Sequence, residues 1–312
     1  MPPSSTRPFP ARPRLGFVGV GRLARCLAAG FAAAGYPVVA VAGRSPASAQ
    51  RLADNLPHCR AVSDAQAVVD ASELVFLAVP DDNIGTIANE LRFDACDGRS
   101  MALVHCSGAT DVEVLARARE QGALIGGFHP LYLFSGEAAD LERIAGCSVT
   151  IEAQAELAAV LEALARALGC ATLALPGGQR MLYHGAAHYA ASFALAALGE
   201  ATDIWRRLGF DEEQALRALL PMLAGTVEAA RGKGLAGALA GPVSRGDASV
   251  LEQQLAAFET LGEDHAALYG LLSRRALALV RRRAQPPASV EAMADAVQAS
   301  LERSLARSAG ST

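Results

Sequence analysis

Lysine is almost absent from this chain. Of 28 basic residues only Lys233 is a lysine, an arginine bias that reads as a compositional habit and not as a functional demand. The six cysteines (26, 59, 96, 106, 147 and 170) form no C-x-x-C pair, which argues against a zinc site and against a disulfide framework and fits a reducing compartment. No uncharged apolar run reaches membrane-spanning length. Residues 1–13 are rich in Pro, Ser and Arg and lack the apolar stretch of a secretory signal, so they are expected to be a disordered tail on a soluble, cytoplasmic protein. Aromatic residues make up only 5%, and the abundant alanine favours tightly packed helices over a β-sandwich. A formal net charge of −4 gives no reason to expect nucleic acid as a partner. The one dense basic run, Arg281-Arg282-Arg283, suits the negative pole at the end of a helix.

What is present is more specific. An apolar strand from Leu15 to Val18 runs into G-x-G-x-x-A, formed by Gly19, Gly21 and Ala24, and then into an Ala/Leu-rich helix. Such a turn needs Gly19 for its tightness and Gly21 for close approach of a pyrophosphate, while a small residue at Ala24 keeps helix and strand together. A second strand, Val38 to Ala42, should end in Asp or Glu if the ribose 2′-hydroxyl of NAD were read. It ends in Gly43-Arg44-Ser45, and a guanidinium beside a hydroxyl suits the 2′-phosphate of NADP.

With 312 residues, 52% of them hydrophobic, the chain is expected to form two cored domains. Apolar runs at 74–79, 102–106, 124–128, 147–151 and 171–175 alternate with helical stretches, the pattern of an α/β doubly wound parallel sheet. Beyond Pro176-Gly177-Gly178 the pattern becomes purely helical, with helices expected over 179–208, 212–230, 248–261, 263–282 and 290–306. The expected organisation is a tail at 1–13, an NADP-binding Rossmann-like domain at 14–176 and an all-α substrate and dimerisation domain at 177–312. The helices at 179–208 and 263–282 are apolar over more of their circumference than one core-facing stripe needs, which points to a homodimer.

The segments GFVGVGRLA, AGRS, FLAVPDDNI, HCSGA, GFHPLYLF and GPVSRGD resemble, in order over about residues 14–283, a family of NADP oxidoreductases with a Rossmann-like domain and a helical C-terminal domain of unassigned function. More distantly the layout is similar to ketopantoate reductases, pyrroline-5-carboxylate reductases and prephenate dehydrogenases. The resemblance implies NADP(H), hydride transfer and a site between the domains, and its cofactor positions fall on Gly19, Gly21, Arg22, Leu23, Arg44, Ser45, Val79 and Pro80. Ketopantoate reductases and β-hydroxyacid dehydrogenases place a catalytic lysine on the first helix of the second domain. Here that helix carries Arg180, Tyr183, His184 and His188 and no lysine, and arginine, with a pKa above about 12, cannot donate the proton.

Candidate groups for the reaction are therefore histidines. His184 and His188 sit one helical turn apart, and His129 follows an apolar strand at the carboxyl edge of the sheet, where such folds bind ligands. Packing against a neighbouring domain is the competing reading of the helical pair. A zinc site is disfavoured, because the pair lacks the Glu of H-E-x-x-H and a third ligand. Ser107 is a candidate donor to a substrate carboxylate and Arg245 a candidate bidentate clamp, although an Arg245–Asp247 pair would serve equally to brace its loop. The function expected is NADPH-dependent hydride transfer to a small carbonyl or imino acid. The alternatives are a non-catalytic NADP(H) sensor and a deazaflavin-dependent NADP reductase.

Overall fold

The computed structural model describes residues 8–93, 100–262 and 264–309. Residues 1–7 of the expected tail, Cys96 and Glu263 lie outside them. By internal contacts the chain divides into one unit ending at Ala194 and a second beginning at Leu195.

The first unit is built on eight strands: β1 Leu15–Val18, β2 Val38–Ala42, β3 Arg60–Ala61, β4 Leu74–Leu77, β5 Ala102–His105, β6 Leu124–Pro130, β7 Ser148–Ala153 and β8 Ala171–Ala174. Their order across the sheet is β3-β2-β1-β4-β5-β6-β7-β8. The first six follow the 3-2-1-4-5-6 arrangement of dinucleotide-binding sheets. The connecting helices are α1 Arg22–Ala33, α2 Pro46–Asp54, α3 Ala65–Ala71, α4 Asp81–Glu90, α5 Ala116–Glu120, α6 Asp140–Arg143, α7 Ala155–Ala167 and α8 Arg180–Ala187. Local sequence explains several starts. Ser45 caps α2 by accepting from the Ser48 amide at 3.3 Å, with Pro46 in the first turn, and Asp64 caps α3 through the Ala67 amide at 2.9 Å.

Each sheet face has its own core, as a doubly wound layer requires. Leu15, Phe17, Phe76 and Phe128 meet Leu27 and Phe31 of α1 on one face. Val18, Val75, Leu77 and Leu103 meet α3, α4 and α5 on the other. The phenylalanines form a cluster around Phe76, with ring centroids 5.1 Å apart for the stacked Phe17–Phe76 pair, 5.7 Å for the tilted Phe31–Phe76 pair and 5.6 Å for the edge-to-face Phe76–Phe128 pair.

Two expectations need correction. The sheet is not wholly parallel, because β7 runs antiparallel to β6 and β8 parallel to β7. A continuous apolar run records burial, not direction, so the sequence pattern had no means of telling them apart. Residues 8–13 also do not behave as a free tail. Phe9 is buried in the first core, its amide donates to the Glu156 carboxylate, and the Arg12 guanidinium lies 5.4 Å from the Tyr36 ring centroid.

The second unit is helical: the continuation of α9 (Ser192–Arg207), then α10 Glu212–Ala238, α11 Pro242–Arg245, α12 Ala248–Glu259, α13 His265–Val280 and α14 Val290–Ala309. Leu251, Leu255, Leu277, Val280, Met293 and Val297 form its core. The helix expected over 179–208 is broken: α8 ends at Ala187, a 3₁₀ turn covers His188–Ala190, and α9 follows. The α10 segment begins with a full capping box at Asp211 and Gln214, and its helix breaks at Gly234, whose φ is +68°. Past the end of α13, Arg283 donates to the carbonyls of Ala236, Leu239 and Ser244, so the basic run pins the G-P-V-S loop.

Phe76 touches three other rings at the centre of the larger core. Phe76→Ala is expected to cost about 3–5 kcal/mol of stability, read as a lower denaturant midpoint with an unchanged m-value.

Candidate functional site

Two clefts of the first unit open at the carboxyl end of the sheet. The first, about 510 Å³, is lined by Gly19, Gly21, Arg44, Ser45, Val79 and Pro80 among others. Gly19 adopts φ +100°, and a Cβ there would collide with the Ala78 carbonyl, so β1 can turn this tightly over the end of β4 only with glycine. A Cβ on Gly21 would meet nothing within 4 Å, which leaves open space in front of the first turn of α1. Arg22 and Leu23 occupy the first two helical positions, where backbone N–H groups lack an intrahelical acceptor. Their side chains go elsewhere: Arg22 to a neighbouring cleft with Arg25 and Arg51, and Leu23 onto the core. A dinucleotide in this cleft would have the α1 amides available for its pyrophosphate and Arg44 and Ser45 for a 2′-phosphate.

The second cleft, about 560 Å³, is lined by His129, Leu131, Tyr132, Leu133, His184, His188 and Ser192. Its floor depends on register. His105 of β5 pairs with Gly127 of β6, while the antiparallel β7 sets Glu152 opposite Gly127 and Thr150 opposite His129. Paired residues share a face, so these five lie on one side of the sheet, and α8 lies over them. Three residues apart on α8, Arg180 and Tyr183 reach successive rows. Arg180, 1% exposed, donates from Nε to Glu152 Oε2 at 2.7 Å and from Nη1 to the Ser107 carbonyl at 2.7 Å. A Cβ on Gly127 would overlap its guanidinium. Tyr183 Oη lies 3.2 Å from His129 Nδ1 and accepts from Thr150 Oγ1 at 2.6 Å. Gly108 lets the histidines approach, since a Cβ there would sit 2.5 Å from His184 Cδ2 and 2.8 Å from His129 Nε2.

The structure brings His129, His184 and His188 together: ring centroids are 5.8 Å apart for the first pair and 4.9 Å for the second. His188 Nδ1 lies 3.2 Å from Ser192 Oγ. Ser107 commits its hydroxyl proton to Asp81 at 2.7 Å and accepts from the Ala109 and Thr110 amides, so it shapes the turn. Arg245, in the second unit, donates from Nε to Asp247 at 2.8 Å, the bracing arrangement. Among the described residues no group of three or more His, Cys, Asp or Glu is placed to hold a metal. The sequence pattern passed over Thr150, Glu152 and His105, and treated Arg180 only as a failed lysine. Register across a strand pair of unknown direction carries no local signal.

Burial, with Arg180 and His129 nearby, pushes His105 down to about 3. Burial, with His184 and Arg180 nearby, pushes His129 down to about 4. Both shifts favour the neutral imidazole at neutral pH. Burial raises Cys106 to about 12, which leaves that thiol inert.

The comparisons with known proteins agree with this fold. Residues 1–130 match a Rossmann-like domain and residues 147–276 match a domain of unknown function, DUF2520. The DUF2520 match starts at the edge of β7, so it contributes the antiparallel strand and α8 as well as later helices. The fold is similar to that of protein TM1727 from Thermotoga maritima, with 24% identity over 86% of this chain and 100% of that one and a TM-score of 0.71. It is similar to a pyrroline-5-carboxylate reductase from Coxiella burnetii (17% identity, 94% and 97% covered, TM-score 0.55). It is also similar to a reductive aminase from Aspergillus terreus solved in complex with NADPH and ethyl levulinate (19%, 91% and 98%, TM-score 0.61). No curated protein matches the chain. Among the described residues no helix is long and apolar enough to cross a membrane.

The depressed histidines have a stability consequence. Below about pH 6.5 the unfolded chain protonates both, while the folded chain does so only near the shifted values, so stability falls as pH drops. Each contributes a slope of up to about 1.4 kcal/mol per pH unit. Denaturant unfolding between about pH 6.5 and 5, where carboxylates are still mostly charged, should show this slope, and His105→Asn should remove about half of it. A flat profile in the wild type would contradict the neutral pair.

Proposed function

We propose that this protein is an NADPH-dependent oxidoreductase that transfers a hydride to a small carbonyl or imino acid. The observation that carries the reading is the first cleft: a glycine turn with open space before α1, and Arg44 and Ser45 on the same wall. The similarity to a reductive aminase bound to NADPH and to a pyrroline-5-carboxylate reductase supports it at the level of fold. When bound, NADPH supplies the hydride.

The chain's own residues do the rest. Gly19 and Gly21 clear space for the pyrophosphate, which the α1 amides hold. Arg44 and Ser45 take the 2′-phosphate, and Val79 and Pro80 wall the cleft beneath α4. In the second cleft, Leu131 and Leu133 present apolar surface, and His188, with Ser192 at its Nδ1, is the proton donor to the reduced atom. Exposed apolar side chains on α9 and α13, among them Leu195, Leu271 and Leu272, suit pairing with a second copy of the chain.

A charge-assisted contact to the 2′-phosphate is worth roughly 1.5–3 kcal/mol, or about ten- to a hundredfold in affinity. Calorimetric titration should therefore show NADP(H) preferred over NAD(H) by that factor, with Arg44→Ala erasing most of the preference. Equal dissociation constants in the wild type would remove the cofactor assignment.

NADPH oxidation followed across a panel of 2-oxo acids and cyclic imino acids tests the activity, and binding without oxidation would make the protein a sensor. His188→Ala should lower turnover by roughly 10²–10⁴ with the NADPH dissociation constant unchanged.

A further inference from the structure

The hydrogen bonds beneath the second cleft form a chain with one internally consistent direction. Thr150, 1% exposed, gives its proton to Tyr183 Oη at 2.6 Å. The Tyr183 oxygen, already accepting, is polarised to donate its own proton onward. Its other neighbour is His129 Nδ1 at 3.2 Å. A phenol is a stronger acid than a neutral imidazole N–H, and an imidazole nitrogen is a stronger base than a phenol oxygen, so the favoured bond is O–H···N. That places the single proton of a neutral His129 on Nε2.

The one hydrogen bond given for the His129 side chain among the described residues is at Nδ1, and His129 lines the cleft of about 560 Å³. Position 108 decides whether Nε2 is covered. Any side chain there would lie within 2.8 Å of it, and Gly108 has none. We propose that Tyr183, backed by Thr150, is a positioning residue that locks His129 as the Nε2–H tautomer, and that this N–H is a hydrogen-bond donor to the carbonyl oxygen, imine nitrogen or carboxylate of a ligand in the second cleft. The use made of that donor rests on the reductase reading, but the tautomer does not.

The surroundings keep the imidazole neutral. Facing it are Tyr183, His184 and Arg180 from α8, Thr150 and Glu152 from β7, and His105 from β5. Of these, His184 and Arg180 oppose a positive charge on His129, and burial opposes it most. A donor of this kind does not switch off as pH rises through the ordinary histidine range, unlike an imidazolium.

The test is long-range proton–nitrogen NMR of the full chain labelled with ¹⁵N-histidine, with His129 assigned by loss of its signals in His129→Gln. The wild type should show His129 with Nε2 protonated and Nδ1 bare, unchanged between about pH 7.5 and 5.5. In Tyr183→Phe the bare nitrogen loses its donor. The spectrum should turn to mixed tautomers, and the titration midpoint should rise toward the ordinary histidine value. Thr150→Val, which removes one hydroxyl and keeps the packing, should move both readouts in the same direction by less, and serves if the tyrosine variant fails to fold. A wild-type Nδ1–H tautomer, or folded variants with the wild-type pattern, overturns the proposal. Because no readout involves turnover, the expected tautomer in a protein that oxidises no NADPH sinks the reductase reading and leaves the positioning role of Tyr183 standing.

Discussion

The guanidinium of Arg180 ties two separate stretches of chain to its own helix. Through Glu152 it holds β7, through the Ser107 carbonyl it holds the turn after β5, and its own backbone is α8. A buried ion pair gains little net stability over an apolar substitute, but removing one partner strands a charge at a cost of about 3–5 kcal/mol. The pair therefore fixes position more than it adds stability. With Arg180 seated over Gly127, the next turn of α8 must place Tyr183 over the His129–Thr150 row and His184 against Gly108. The geometry of the second cleft follows from that one seat.

The seat in turn depends on the direction of β7. Were β7 parallel to β6, the register that sets Glu152 opposite Gly127 and Thr150 opposite His129 would not exist. The DUF2520 match begins at this strand and the Rossmann-like match ends with β6. The site thus lies where one match ends and the other begins but inside one continuous sheet, on main-chain hydrogen bonds that hold His129 and Thr150 to a fixed spacing.

This division explains what could be read from the amino-acid sequence. The first cleft was legible because its parts are local: the Gly19 turn, the start of α1 and the Gly43-Arg44-Ser45 end of β2 each declare themselves within a few residues. His129, His184 and His188 were also found, from position at a strand end and from helical spacing. The contacts that give those histidines their properties were not. Arg180 meets a carbonyl 73 residues away and Tyr183 a hydroxyl 33 residues away. Neither distance leaves a periodic trace, and a strand that reverses direction looks the same as one that does not. The 3₁₀ turn at His188–Ala190 was hidden likewise, inside a run of good helix formers.

Whatever the origin of the arginine bias, arginine and not lysine at position 180 has a structural consequence. A buried lysine can shed its proton, and in this setting it would become a neutral amine and cease to repel positive charge on neighbouring histidines. An arginine stays charged at any pH the protein meets. Arg180, held by Glu152 and buried beside His105 and His129, is thus a permanent charge that adds to burial in keeping both imidazoles neutral. An ammonium acid on α8 and a neutral hydrogen-bond donor on β6 are alternative ways to furnish one cleft. With arginine at the root of the helix, the second is the one this chain's electrostatics favour.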